Sequence, residues 1–343
     1  MHLKDKYADR YKLSLGSSVL LINAILVTVE AASITNDVKP DVAVRSNPGI
    51  KEPPVVASGP NLCGYSNLGD LDSIRDRVQE KEHADFLEYP WMIALLRRSL
   101  NTSAWSHSGY LGGGTLIHPR VVLTAAHKVH GLKAEDMKCR AGEWDTLNTD
   151  EIYGHQEQNV AKIVRHPDFY YDSILNSVAL LFLAAPFRQA PNVGLACLGP
   201  QLPPAGTVCY SSGWGKQKLG AKDSEIGGML KKVELPLLSR SECQARLRKT
   251  RLSNYFTLHE SLMCAGGEEG KDTCAGDGGS PLVCHIGDPS HQRFALYGMV
   301  AYGIGCGEDG VPGVYVDAPH FHTWVQEKMR EEGLSTESFM FIE

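Results

Sequence analysis

Nine cysteines in a chain of 343 residues, eight of them between Cys139 and Cys306, constrain the fold more than any other feature of this sequence. Their spacing is too irregular for a zinc ribbon, whose ligands come as close pairs. A disulfide framework accounts for them, and that places the folded chain in an oxidising compartment. The 34 Lys and Arg against 40 Asp and Glu leave a formal charge of −6, which excludes partners gathered by bulk positive charge, nucleic acid among them. With 43% apolar and 22% charged residues the composition is globular and excludes wholesale disorder.

The first 72 residues read differently from the rest. Lys4, Lys6, Arg10 and Lys12 precede an apolar stretch from Leu13 to Val29, closed by Ala31, Ala32 and Ser33. This is the layout of a signal peptide over 1–32, with cleavage after Ala31 or Ala32. A membrane anchor is the rival reading, but Gly16, Ser17, Ser18 and Asn23 break the run. Residues 33–72 carry Pro40, Pro48, Pro53, Pro54 and Pro60 without a two- or 3.6-residue apolar period, and read as a linker. Its one cysteine, Cys63, reads as a tether to the domain that follows, with a free thiol as the alternative.

From Tyr89 onward, short apolar runs alternate with turn residues: Trp91 to Leu96, Gly114 to Ile117, Val121 to Ala126, Val178 to Leu183, Leu282 to Cys284 and Leu296 to Ala301. Runs of this length, in a chain with 34 Gly and 18 Pro, predict an all-β barrel or sandwich. Phe321, Trp324, Val325 and Lys328 fall at helical spacing and predict one C-terminal helix. No repeat of 20 to 50 residues is present.

Five motifs then appear in order. They are Thr124-Ala125-Ala126-His127, Gly213-Trp214-Gly215, Met263-Cys264-Ala265-Gly266, the stretch from Asp272 through Gly276-Asp277-Gly278-Gly279-Ser280-Pro281 to Cys284, and Pro312-Gly313-Val314-Tyr315. Together they resemble the trypsin-like serine proteases, from about Val78 to Arg330. The resemblance implies an all-β trypsin/chymotrypsin-like double β-barrel with a C-terminal α-helix. It implies a domain over 73–330 and a C-terminal tail over 331–343.

A Ser-His-Asp hydrolase needs a hydroxyl nucleophile, an imidazole base and a buried carboxylate that orients the imidazole. His127 matches the family histidine. Ser177, in Asn176-Ser177-Val178-Ala179-Leu180-Leu181, stands where the family has its aspartate, and Gly278 stands where it has its nucleophile. Ser280 is two residues away, and two residues of chain shift a hydroxyl by up to about 7 Å. A base must lie within about 3.2 Å of the hydroxyl it activates. Loss of a nucleophile in a comparable triad costs about 10⁶ in turnover. The chain is therefore read as a serine protease homologue without peptidase activity.

The resemblance carries over further residues. Asp272 matches the acid under a basic side chain in the family pocket, with Gly303 and Gly313 as the glycines that keep that pocket open. The implied pairings are Cys63 with Cys197, Cys209 with Cys284, Cys243 with Cys264, and Cys274 with Cys306. Cys139 is left as a buried thiol or an intermolecular contact. Gly112 and Lys128 occupy the two positions of a bridge that the family has beside its histidine. Arg77-Val78 is the candidate activation cut, although Gln79-Glu80-Lys81 replace the glycines that usually follow.

Finer motifs, Arg140-Ala141-Gly142-Glu143-Trp144-Asp145-Thr146 and Gly303-Ile304-Gly305-Cys306-Gly307 among them, resemble the arthropod clip-domain serine protease homologues of the prophenoloxidase-activating-factor and masquerade type. That resemblance implies a secreted haemolymph protein acting as a non-catalytic cofactor in melanisation. Its partners would be prophenoloxidase, an activating clip-domain protease, or both, and it could form oligomers. A clip domain needs six cysteines, and residues 33–72 contain only Cys63. An adhesion or pattern-recognition module on the same fold is the alternative. No cofactor is expected except calcium at Glu143, Asp145 and Asp150, where a solvated acidic loop is the competing reading. Asn101-Thr102-Ser103 is a glycosylation acceptor. Arg240, Arg246, Arg248, Lys249 and Arg251 read as the solvated face of a short helix, or as a surface for an acidic partner or polyanion.

Overall fold

Apolar, β-rich runs ended by turns build the strands of a computed structural model that describes residues 63–67, 82–98, 105–218 and 220–341. The signal peptide 1–32, most of the linker 33–72, the Arg77-Val78 bond and Asn101 lie outside the described residues. The first six strands are β1 (Met92–Arg97), β2 (Tyr110–His118), β3 (Val121–Thr124), β4 (Met137–Ala141), β5 (Gln156–Arg165) and β6 (Ala179–Leu183). They pair in the order β1-β2-β3-β6-β5-β4, and β4 returns to β1 with Ala141 opposite Ile93, which closes a barrel.

The second half supplies β7 (Cys197–Leu198), β8 (Val208–Gly213), β9 (Lys231–Pro236), α1 (Arg240–Arg248), β10 (Leu262–Ala265), β11 (Pro281–His285), β12 (Phe294–Tyr302), β13 (Gly313–Asp317) and α2 (His322–Glu331). The sheet order is β10-β13-β12-β11-β8-β9, with β7 parallel to β12. Its two edges meet: Leu237, just past β9, bridges Ala265, and the Leu238 N–H donates to the Cys264 carbonyl at 3.0 Å. The fold is the trypsin-like double barrel that the sequence predicts.

α2 buries Val325 and Met329, which continue the four-residue spacing from buried Phe321 just before the helix, while Lys328 reaches Glu331 at 2.7 Å. The chain beyond the helix does not leave the body. Phe339 is fully buried, and the Ser338 hydroxyl donates to the Ile117 carbonyl of β2 at 2.9 Å. The segment set apart in the sequence as a tail is, through Phe341, part of the core, because isolated apolar residues in it fill a gap against the first barrel.

Four disulfides join Cys63–Cys197, Cys209–Cys284, Cys243–Cys264 and Cys274–Cys306. Arg293 reinforces the first. Its Nε donates to the Cys63 carbonyl at 3.1 Å, and its guanidinium lies 5.1 Å from the Tyr65 ring and 5.9 Å from Phe341. Segments from both ends of the described chain thus meet on one side chain. Cys139 lies fully buried in β4 opposite Leu95, and burial pushes its thiol up. The thiol is protonated and enclosed, so an intermolecular bridge there would require β4 to open.

Phe339→Ala is expected to lower stability by about 3–5 kcal/mol in urea unfolding, the range for deleting a buried phenyl ring. An effect no larger than that of a surface substitution would show that the segment is detachable.

Candidate functional site

The two barrels touch through glycines. The Gly113 N–H of β2 donates to the Gly278 carbonyl at 3.0 Å, and a Cβ at Gly113 would lie 2.1 Å from Ser280 Oγ. On the opposite wall, β3 pairs with β6 so that Thr124 faces Ala179, which sets the turn carrying His127 beside Ser177. The His127 N–H donates to Ser177 Oγ at 3.1 Å, and ring Nδ1 lies 3.1 Å from the same oxygen. A Cβ at Gly278 would sit 3.0 Å from His127 Nε2. His127, Ser177 and Gly278 therefore converge as the motifs predict, but as an imidazole between a hydroxyl and a position with no side chain.

This geometry limits the chemistry. Ser177 is fully buried and neutral, so it offers no charge to an imidazolium. Unlike a carboxylate it can donate as well as accept, and so it does not fix which ring nitrogen carries the proton. Burial, and then the Lys128 cation, push His127 down to about 3, so the ring is neutral across the physiological range. Ser280 does not take the nucleophile's place. Its Oγ is buried between the positions that side chains on Gly113 and Gly213 would occupy, and it makes no hydrogen bond to His127.

Lys128 supplies what the sequence alone did not show. A Cβ at Gly278 would meet its Cδ at 2.7 Å, and one at Gly112 would meet its Cε at 2.5 Å. The lysine stem runs through the gap between Gly112 and Gly278 and passes over the point where a nucleophile would begin. The paired replacement of both bridge cysteines was the available signal. It marked a missing bond, whereas the structure shows a space that has been refilled. Burial lowers the Lys128 pKa, and Asp277 opposes that shift. Asp277 is itself buried, accepting from the Gly215 N–H at 2.7 Å and the Cys274 N–H at 3.0 Å.

A cavity of about 790 Å³ opens from these residues. His127, Lys128 and Gly278, the run Tyr302 to Cys306, and Lys249 to Arg251 all line it. Gly303 lines this cavity. Gly313 lies against Asp272, whose Oδ1 would be 2.9 Å from a Cβ there. Asp272 accepts from the Thr273 N–H at 2.8 Å and the Gly307 N–H at 3.1 Å. Burial pushes its carboxyl up to about 6, against those two hydrogen bonds.

Residues 78–325 match the sequence profile of the family described as Trypsin. The chain belongs to the trypsin family. It is 45% identical to a protein named phenoloxidase-activating factor 2 from Galleria mellonella, across 86% of this chain and 98% of the relative. To a protein named inactive CLIP domain-containing serine protease A28 from Anopheles gambiae it is 35% identical, across 92% of this chain and 79% of the relative. A tryptase from Mus musculus is 32% identical across 73% of this chain and 88% of its own length.

Two other groups of residues in this trypsin-family chain are arranged differently from the sequence expectation. Glu143 Oε2 accepts from Arg140 Nη1 at 2.8 Å and lies 3.3 Å from His155 Nδ1. Asp145 accepts from the Leu147 N–H, and Glu151 accepts from the Trp144 and Asp145 N–H groups. Burial and the nearby Glu143 push Glu151 up to about 8. Glu143 is thus committed to Arg140. Among the described residues no group of three His, Cys, Asp or Glu is placed to hold a metal. The basic cluster also divides. Arg240 donates to the Leu262 carbonyl, Arg246 to Glu242 and Arg248 to the Phe256 carbonyl. Lys249 and Arg251 remain, exposed to solvent and lining the cavity.

Two outcomes are expected. Gly278→Ser combined with Ser177→Asp should leave arginine-ester hydrolysis at background, because Lys128 still occupies the nucleophile's space. Adding Gly112→Cys and Lys128→Cys should raise it by about a hundredfold or more, the scale of correctly placed acid–base catalysis. Turnover by the double variant would show that Lys128 is no barrier. For pH, the unfolded ring of His127 titrates near 6.5 and the folded one near 3, so the unfolded chain binds more protons in between. Stability contributed by the neutral ring is full above that window and is lost as pH falls through it. His127→Gln should flatten this part of the stability curve in urea titrations.

Proposed function

We propose that this chain is a secreted, non-hydrolysing member of the trypsin family that serves as a binding cofactor in an extracellular immune proteolytic cascade, the one that activates prophenoloxidase for melanisation. One observation carries the loss of hydrolysis: Gly278 faces His127 with the Lys128 stem across the place of the nucleophile, while the cavity beside them stays open. A neutral imidazole with neither an adjacent nucleophile nor a buried carboxylate can hold a ligand but cannot form an acyl intermediate. The cascade assignment is supported by relatives named phenoloxidase-activating factor and inactive CLIP domain-containing serine protease. Secretion into haemolymph is supported by the N-terminal leader pattern and by four disulfides. Among the described residues no helix is long and apolar enough to cross a membrane.

The binding partners would be prophenoloxidase, an activating clip-domain protease, or both, brought together on this domain. Phenoloxidase activity generated by a competent clip protease should rise severalfold when this protein is present, with both components retained in a pull-down. A fluorophosphonate probe should leave it unlabelled, since that probe reacts only with an activated serine. Labelling abolished by His127→Ala would overturn the non-hydrolysing reading. Absence of both stimulation and binding would overturn the cascade reading and favour recognition or adhesion on the same fold.

A further inference from the structure

The cavity that remains open carries the wrong charge for the ligand its inherited acid would suggest. Its lining holds three cations, Lys128, Lys249 and Arg251, against one carboxylate, Glu308, while the chain as a whole is acidic at −6. Neither Lys249 nor Arg251 has a side-chain hydrogen bond or ion pair among the described residues, whereas Lys128 is largely buried and feels the Asp277 carboxylate. Other charged side chains of this region do have partners: Arg240 and Arg248 bind carbonyls, Arg246 binds Glu242, and Lys271 binds Glu268 at 2.7 Å. Unpaired cations on one concave wall are available to a ligand, whereas paired ones would first have to be released.

The acids nearby leave Lys249 and Arg251 unpaired, while Asp277 acts on Lys128. Asp272 has an N–H on each oxygen, from Thr273 and Gly307, and it is not among the cavity-lining residues. Asp277 is buried, with Gly215 and Cys274 donating to its two oxygens. Glu308, the one carboxylate in the lining, lies against Gly305, where its Oε1 would be 2.2 Å from a Cβ.

We propose that the cleft binds an extended acidic peptide segment, whose carboxylates meet Lys249 and Arg251 on the wall. This rests on reading the cleft as a site that binds without cleaving; it does not depend on which cascade the protein serves. A peptide fits better than a sulfated or other anionic polysaccharide. A polyanion is held by a continuous basic stripe, and Arg240, Arg246 and Arg248, which would extend one, are bound within the fold. A volume of about 790 Å³ also exceeds what a single free carboxylate would fill.

The test is fluorescence anisotropy of the full-length protein with a labelled decapeptide carrying several glutamates, its glutamine counterpart and its lysine counterpart. The glutamate peptide should bind about tenfold more tightly than the glutamine one, the scale of two solvent-accessible ion pairs, and should weaken as salt is raised. Lys249→Ala with Arg251→Ala should lose most of that advantage with an unchanged thermal transition, since neither side chain is paired. Glu308→Gln should tighten binding. Equal binding of the glutamate and glutamine peptides, tighter binding of the lysine peptide, or full affinity in the double variant would overturn the proposal. So would a heparin oligosaccharide that binds more tightly than the peptide through the same two residues. Glutamate-peptide binding without stimulation of prophenoloxidase activation would leave this inference standing and remove the cascade reading. Stimulation without such binding would do the reverse.

Discussion

The contact on which the site depends is a backbone one, the hydrogen bond from the Gly113 N–H to the Gly278 carbonyl between the two barrels. The approach is this close because β2 carries no side chain at Gly113. A Cβ on Gly113 would sit 2.1 Å from Ser280 Oγ, and one on Gly279, at φ +81°, would sit 2.4 Å from Thr124 Oγ1. The close approach fixes the segment 278–280 against β2. The register of β3 with β6 then fixes His127 against Ser177 from the other side. The catalytic frame is thus retained by main-chain geometry that does not depend on the side chains of the triad. Loss of those side chains leaves the frame standing.

Lys128 shows how the frame tolerates the loss of a covalent bridge. A disulfide between positions 112 and 128 would have filled the space beside the histidine and cross-linked it. Here one partner is reduced to glycine and the other lengthened, so the methylene stem takes up the volume. Its ammonium group is close enough to Asp277 for the carboxylate to oppose the downward pull of burial. The same stem blocks the approach to Gly278. A side chain at Gly278 would therefore require Lys128 to move.

Those strands that are buried along nearly their whole length were legible in the sequence. β1, β6, β11 and most of β12 are continuous apolar runs, because one face lines a barrel and the other is covered. β5 was not legible, since QEQNVAKIVR buries only Val160 and lies in the sheet through backbone pairing to β4 and β6. β9 escaped for the same reason, with only Leu235 buried. Phe339 is a single aromatic in a polar stretch, with no period to announce that it packs into the core. The three degenerate triad positions were readable because each sits inside a motif. The role of Lys128 was not, because its contacts with Gly112 and Gly278 join residues far apart in the chain. The basic run 240–251 looked uniform as a string and divides only when each guanidinium is given its acceptor.

That division changes what the cleft can recognise. In the family, an acid at the base of the pocket meets a basic side chain. Here the acid remains as Asp272, but its oxygens already receive two backbone N–H groups, and burial holds its carboxyl near 6, so its negative charge weakens in mildly acid conditions. Lys249 and Arg251 line the cleft from the segment directly after α1. In a chain whose net charge is −6, a basic wall at the cleft would set the orientation of an acidic partner as well as its affinity.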